Sequence, residues 1–149
     1  MSAEREQVRD RKSEVREMPV IKFMLIRSAK ELNVYKKGYE LATTVFKLSK
    51  DFPSEEKYAL TSQIRRSSRS ICLNLREAWA KRRYEAHFIS KLTDCDGENS
   101  ETDSSLDFAR DCGYLTDEQH IKLISLCQEI GGMLGSMINW PGPFLTTDH

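Results

Sequence analysis

Gln63-Ile64-Arg65-Arg66-Ser67-Ser68-Arg69-Ser70-Ile71-Cys72-Leu73-Asn74-Leu75-Arg76-Glu77-Ala78 is the stretch that decides the fold. With Leu60 before it, the residues Leu60, Ile64, Ser67, Ile71, Asn74 and Ala78 recur at alternating steps of four and three. That spacing predicts a helix with a narrow seam against other helices. The seam holds Ser67 and Asn74, and Arg65, Arg66 and Arg69 crowd beside it. Packing alone needs apolar seam residues and no such group of arginines. Any role beyond folding is therefore expected here.

The same periodicity extends outward from this helix. Before it, Leu32, Tyr35, Tyr39, Ala42 and Phe46 predict a first helix from residue 29 or 32 to 50. It ends at Asp51-Phe52-Pro53, because the residue before proline is biased away from helix. Ser54 is the expected cap of the second helix, and Glu55 and Glu56 place anions at its positive end. That helix is expected to run to residue 79 or 81, with Lys81-Arg82-Arg83 at its negative end. A third helix, from about 84 to 112, shows Phe88, Leu92, Cys95, Asn99, Thr102, Leu106 and Ala109, again in four-three steps. Gly113 is a natural stop. Thr116 caps a fourth helix whose stripe is Ile121, Ile124, Cys127, Ile130, Leu134 and Met137 or Ile138; Trp140-Pro141-Gly142-Pro143 stops it. Short connections between four helices predict an all-α, antiparallel up-down-up-down four-helix bundle over residues 28–139. Residues 1–27 form a charged arm and a short apolar segment, and 140–149 a tail.

Composition agrees with one helical domain: 149 residues, of which 31% are charged, with only 4 prolines and 7 glycines to interrupt helices. Lysine plus arginine and aspartate plus glutamate both number 23, so the net charge is zero and nucleic-acid affinity would have to come from local segregation. Cys72, Cys95, Cys112 and Cys127 form no Cys-x-x-Cys pair; each is expected to be a small buried hydrophobe in a reducing compartment. The first 17 residues lack the apolar core of a secretory signal, and no uninterrupted apolar run approaches about 18 residues. The expectation is a cytoplasmic protein with no membrane contact.

Folding the second and third helices back about residue 82 brings Arg69 near Cys95, Arg66 near Glu98 and Arg65 near Asn99. The third helix carries Asp94, Asp96, Glu98, Glu101, Asp103 and Asp107 along this stretch. One reading is a register-setting network, within or between subunits, that joins Arg66, Asn74, Glu77, Glu98, Glu101 and Asp103. The other leaves Arg65, Arg66, Arg69 and Arg76, with Lys81, Arg82 and Arg83, to hold phosphates. Arg76 and residues 81–83 lie beyond the acidic stretch and are the better candidates. Ser67, Asn74, Asn99 and Thr102 imply internal hydrogen bonds, another subunit or a watery channel, since a buried orphan polar group costs about 1–3 kcal/mol. Gly131, Gly132 and Gly135 imply a close helix contact, because each costs about 1 kcal/mol in a helix interior.

Catalytic and cofactor patterns are absent. A carboxylate-bridged di-metal bundle needs Glu-x-x-His on two helices and two further glutamates. The chain offers Asp117-x-x-His120 once. His87 and His120 are expected on helix surfaces. No phosphate loop, nucleophile elbow or cofactor motif appears.

The order of motifs is similar to a known family. Leu32-Asn33-Val34-Tyr35-Lys36-Lys37, Phe52-Pro53 with Glu56, Gln63-Ile64-Arg65-Arg66-Ser67, Ser70-Ile71 with Asn74 and Glu77, Gly97 with Glu101 and Asp103, Leu106 with Ala109, and Gly113-Tyr114-Leu115 carry the likeness. Over residues 28–138 the chain resembles the four-helix-bundle proteins encoded in bacterial 23S rRNA intervening sequences. The resemblance implies a small cytoplasmic bundle without enzymatic activity, assembled as a homo-oligomer, typically a ring-like pentamer. Relatives include accessory proteins of diversity-generating retroelements, so RNA or DNA and a reverse transcriptase are the implied partners. The chain departs from the family pattern in Leu75-Arg76-Glu77-Ala78, where Ala78 replaces a glycine. It departs again at Gly97-Glu98 and Glu101-Thr102-Asp103, which add acid to the third helix.

Overall fold

The structure, a computed structural model, describes residues 26–146. Helix α1 spans Asn33–Ser49, α2 Leu60–Ala80, α3 Glu85–Asp111 and α4 Asp117–Asn139. Short 3-10 turns occupy Ala29–Glu31, Ser54–Glu56 and Gly142–Phe144, and the described residues contain no strand. The charged arm expected at residues 1–17 lies outside the described residues. Of the apolar segment that follows it, the last residue, Ile26, packs against the core.

The direction of each helix follows from who meets whom. Gln63 and Arg66 of α2 reach Glu101, Ile71 meets Cys95, and Glu77 meets Lys91, so α3 descends as α2 rises. The same reversal relates α1 to α2, through Ser49 with Arg65 and Tyr35 with Cys72. It also relates α3 to α4, through Asp107 with His120 and Asn99 with Cys127. α4 closes the ring against α1, where Lys37 and Glu129 pair at 3.1 Å. This is the up-down-up-down arrangement that short loops favour.

Local chemistry sets the helix ends. Thr116 caps α4 in a reciprocal box with Gln119: the Gln119 amide donates to Thr116 Oγ1 at 3.1 Å, and the Thr116 amide to Gln119 Oε1 at 3.0 Å. Gly113 closes α3 at φ +81°, with its own amide on the Arg110 carbonyl and that of Tyr114 on the Ala109 carbonyl. The start of α2 differs from expectation. Ser54 caps nothing with its side chain, and residues 54–56 form a separate 3-10 turn. At Ala59 (φ −121°, ψ −107°) the backbone leaves helical geometry, so α2 begins only at Leu60, without a side-chain cap.

The core joins Leu41, Val45, Ile64, Ile71, Leu75, Phe88, Leu92, Leu106, Leu123, Ile130 and Leu134. The α3 seam is buried at every predicted position, Phe88 through Ala109. On α1 the buried face is Val34, Gly38, Leu41, Ala42 and Val45, one step round from the expected stripe, and Tyr39 and Phe46 are exposed. Gly38 explains the offset: a Cβ there would lie 3.2 Å from both Cys72 Sγ and Ile71 Cγ2, so α1 and α2 approach most closely at a residue with no hydropathy of its own. On α4, Leu123 and Leu126 face inward and Ile121 is 65% exposed. Gly131, Gly132 and Gly135 do not mark a close approach within this chain. Only Asn99 Nδ2 lies within 4 Å of a Cβ at Gly131, and nothing does at the other two. By length and composition α4 is apolar enough to cross a membrane, but its inner face is core and its Glu129 is ion-paired.

Polar seam residues find partners inside the bundle. The Ser67 and Thr102 hydroxyls lie 2.8 Å apart, and Thr102 also donates to the Glu98 carbonyl. Asn99 donates its amide to the Cys127 carbonyl at 2.8 Å, while its Oδ1 is buried without a partner. Asn74 turns back onto the Ser70 carbonyl of its own helix and joins no network. Cys72, Cys95 and Cys127 are buried as expected; Cys112, the C-cap of α3, is exposed.

Candidate nucleic-acid interface

Helix geometry divides the α2 arginines. Successive residues are turned by about 100°, so Arg66 faces α3 while Arg65 and Arg69 face the α1 side. Arg66 forks onto both oxygens of Glu101 at 2.9 Å and reaches Glu98 at 3.3 Å. The hydrogen bond to Glu101 and the charge of Glu98 raise its pKa further. Gln63 also donates to Glu101. The expected network thus exists around Arg66, Glu98 and Glu101.

Its other expected members are elsewhere. Glu77 pairs with Lys91 of α3 at 2.7 Å, a partner the sequence reading missed, and that hydrogen bond holds its carboxyl below the usual range. Asp103 meets no arginine; burial, followed by the charge of Asp107, raises its pKa. Near it, His120 is buried rather than on the surface. Arg110, which can only donate, lies 3.3 Å from His120 Nδ1, and His120 Nε2 lies 2.7 Å from Asp107 Oδ1.

Arg65 and Arg69 do not meet the third helix. Arg65 donates to Ser49 Oγ at 2.7 Å, and its guanidinium lies 4.8 Å from the centre of the Phe46 ring. Arg69 stands 5.6 Å and Lys50 4.8 Å from the same ring. Three cations therefore surround one aromatic ring, which explains how Phe46 sits at the surface. Among the described residues none of the three has a carboxylate within ion-pair distance.

The remaining cations gather where α2 turns into α3. Arg76 reaches Ser28 Oγ at 3.2 Å. Arg82 donates to the Trp79 carbonyl at 2.9 Å, and its guanidinium lies over the Trp79 ring, 3.7 Å from the ring centre. Partial burial there lowers its pKa. The Arg82 carbonyl accepts the Thr146 amide, and Phe88 stacks on Phe144, so the segment after α4 folds against this corner. Here lies a cleft of about 680 Å³, with Arg27, Lys81, Arg82, Arg83, Tyr84 and His87 among its lining residues. No carboxylate among the described residues lines it. Tyr84 and His87 hold their rings 5.7 Å apart. Arg27, Tyr84 and His87 were not singled out from the sequence for this role. An aromatic directly after three cations at a helix break was the available signal.

No group of three or more His, Cys, Asp or Glu side chains among the described residues is arranged to hold a metal ion. Chemically, the corner offers donors and π-faces, which suit an anionic, ring-bearing ligand.

Comparison with known proteins finds a family-wide match. Residues 30–136 fit the model of the 23S rRNA-intervening sequence proteins. A crystal structure of a protein of unknown function, from the S23 ribosomal protein family of Bacteroides thetaiotaomicron, is similar, with 34% sequence identity and a TM-score of 0.64. The match covers 71% of this chain and 95% of that one. No curated protein matches.

Proposed function

The chain belongs to the 23S rRNA-intervening sequence protein family, and from that premise we propose that it is a non-enzymatic, self-associating accessory protein that binds RNA through its basic α2–α3 corner. One observation carries the reading. Arg66 is held by α3 carboxylates, whereas Arg76, Arg82 and Arg83 form no ion pair among the described residues and lie at or beside a cleft that no described carboxylate lines. Lys81 belongs to the same corner; its charge also helps lower the Glu77 pKa from a distance. Unpaired cations gathered at one end are what phosphate contact requires, and zero net charge does not oppose it when the acids are elsewhere. The test is titration of a structured RNA at low salt, followed by a salt series. Affinity falling steeply with salt supports the reading, and no binding at low salt removes it.

A second reading is a protein–protein assembly module. It draws on Arg66 with Glu98 and Glu101, which fix helix register, and on α4, where Gly132 and Gly135 leave open space and Ile121, nearer the start of the helix, is exposed. Such a face admits a close neighbour, and a second copy of the chain, up to the pentamer of the family resemblance, is the occupant we propose. Native mass with and without RNA separates the readings. A fixed oligomer that ignores RNA favours assembly alone.

A further inference from the structure

We propose that the α2–α3 cleft takes an unpaired nucleotide, so that the protein selects single-stranded or looped RNA over duplex. The inference rests on the RNA reading above and names the substrate class of the same site. Three features converge. First, the lining is cationic: Arg27, Lys81, Arg82 and Arg83 supply positive charge, and no carboxylate among the described residues lines the cleft to compete with a phosphate. Trp79, nine-tenths buried, also lines the cleft, and its indole N–H has no acceptor. The first turn of α3 adds to this, since Tyr84 gives it no side-chain cap and its leading amides have no acceptor within the helix.

Second, the cleft offers ring faces. Tyr84 is 60% exposed beside His87, and Arg82 already shows the stacking habit of the site on Trp79. Proteins that hold single strands place aromatics beside cations so that a base stacks while its phosphate is neutralised. A duplex keeps its bases stacked on each other and offers no free face to a side-on tyrosine. Third, about 680 Å³ lies within the range of pockets for small ligands, enough for a nucleotide or two and not for a helix of paired strands.

The same cations would also hold inorganic polyphosphate, so the experiment separates the sources. Full-length protein is titrated at low salt with an eight-nucleotide oligoadenylate, an RNA duplex of equal phosphate number and inorganic polyphosphate. The proposal expects oligoadenylate to bind at least about ten-fold more tightly than the duplex. Tyr84→Ala should lose about ten-fold or more on oligoadenylate, with polyphosphate binding unchanged, and Tyr84→Phe should restore the wild-type value. Thermal melting confirms that each variant is folded. Equal affinity for duplex, or oligoadenylate binding unchanged in Tyr84→Ala, overturns the inference while leaving RNA binding intact. Binding of polyphosphate alone overturns the inference and the RNA reading together, as does the absence of any binding.

Discussion

Arg66 and Arg83 are both exposed arginines on one continuous stretch, and the structure predicts opposite phenotypes for them. The Arg66 guanidinium sits on Glu101 and Glu98 at 2.9 and 3.3 Å, with half of its side chain in solvent. A solvent-screened network of this kind contributes about 0.5–1 kcal/mol, so Arg66→Ala should lower the melting temperature by about 1–4 °C for a domain of this size. Arg83 has no ion pair among the described residues, so Arg83→Ala should leave the melting temperature within about 1 °C. RNA binding should sort them the other way. If Arg27, Lys81, Arg82 and Arg83 all neutralise phosphates, log K should fall against log salt with a slope of about −2.8 for single strands. Raising salt from about 50 to 200 mM would then weaken the wild type about 50-fold. Arg83→Ala removes one contact, bringing the slope to about −2.1 and the loss to about 20-fold. Arg66→Ala should leave the slope unchanged. Fluorescence anisotropy of a labelled RNA across a salt series, beside calorimetric melting, reads both quantities. If Arg66→Ala flattened the slope as much as Arg83→Ala, the division of the arginines drawn from the ion pairs would be wrong.

Further outcomes follow from the interior. Thr102→Val strands the Ser67 hydroxyl, whose fallback on the Ile64 carbonyl is 3.4 Å long, and should cost about 1–2 kcal/mol. Ser67→Ala should cost much less in the Val background than alone; additive denaturant midpoints would deny the shared bond. Gly113→Ala forces a side chain into φ +81° and should destabilise by about 1 kcal/mol, seen as a lower urea midpoint. Burial pushes the thiols of Cys72, Cys95 and Cys127 up to about 12. At pH about 8 a thiol reagent should therefore find one fast cysteine, Cys112, in the native protein and four in denaturant. The unfolded chain loses those three protons above its ordinary thiol pKa of 9.0 and the folded chain keeps them to about 12. Stability contributed by the buried thiols is thus full below pH 9 and falls as pH rises through that window, which melting at pH about 8.5 and 10.5 checks.

Long, regular seams were legible and short or mixed ones were not. The α3 seam from Phe88 to Ala109 repeats its four-three step without a rival, and every member is buried. On α1 two registers fit the same spacing. Aromatics made the wrong one look more apolar, while the true one ran through Gly38, which has no hydropathy but makes the closest contact with α2. The α2–α3 charge match was correct where it concerned Arg66 and failed for Arg65 and Arg69. A rule for antiparallel neighbours gives height along the bundle and not which of two flanking helices a side chain turns toward. Phe46, Lys50 and Ser49 of α1 took those arginines instead. His120 read as a surface residue because it opens a helix; its burial comes from Asp107 and Arg110, which belong to a different helix. The cleft was half legible: the cations at 81–83 stand in the sequence, whereas Arg27 arrives only through the fold.

Zero net charge and a phosphate-binding corner are compatible because screening makes charge a local quantity. The Debye length at physiological ionic strength is about 8 Å. Asp103 and Asp107 lie 18 and 22 residues along α3 from Glu85, which at about 1.5 Å per residue is roughly 30 Å from the corner. Of the nearer acids, Glu77 and Asp94 contact Lys91, and Glu98 and Glu101 hold Arg66, while Glu85 at the corner and Asp96 form no ion pair among the described residues. A polyanion approaching the α2–α3 turn therefore meets Arg76 and the cations at 81–83 with Glu85 as the one acid in the first turn of α3, and one approaching the far end of α3 meets carboxylates. Along α3 and the turn before it the charge asymmetry follows the bundle axis, while Lys50, Arg65 and Arg69 form a second group of cations on the α1 side. In the RNA reading proposed above, that asymmetry would favour approach with the cleft end leading, the geometry in which Tyr84 and its neighbours would meet an RNA first.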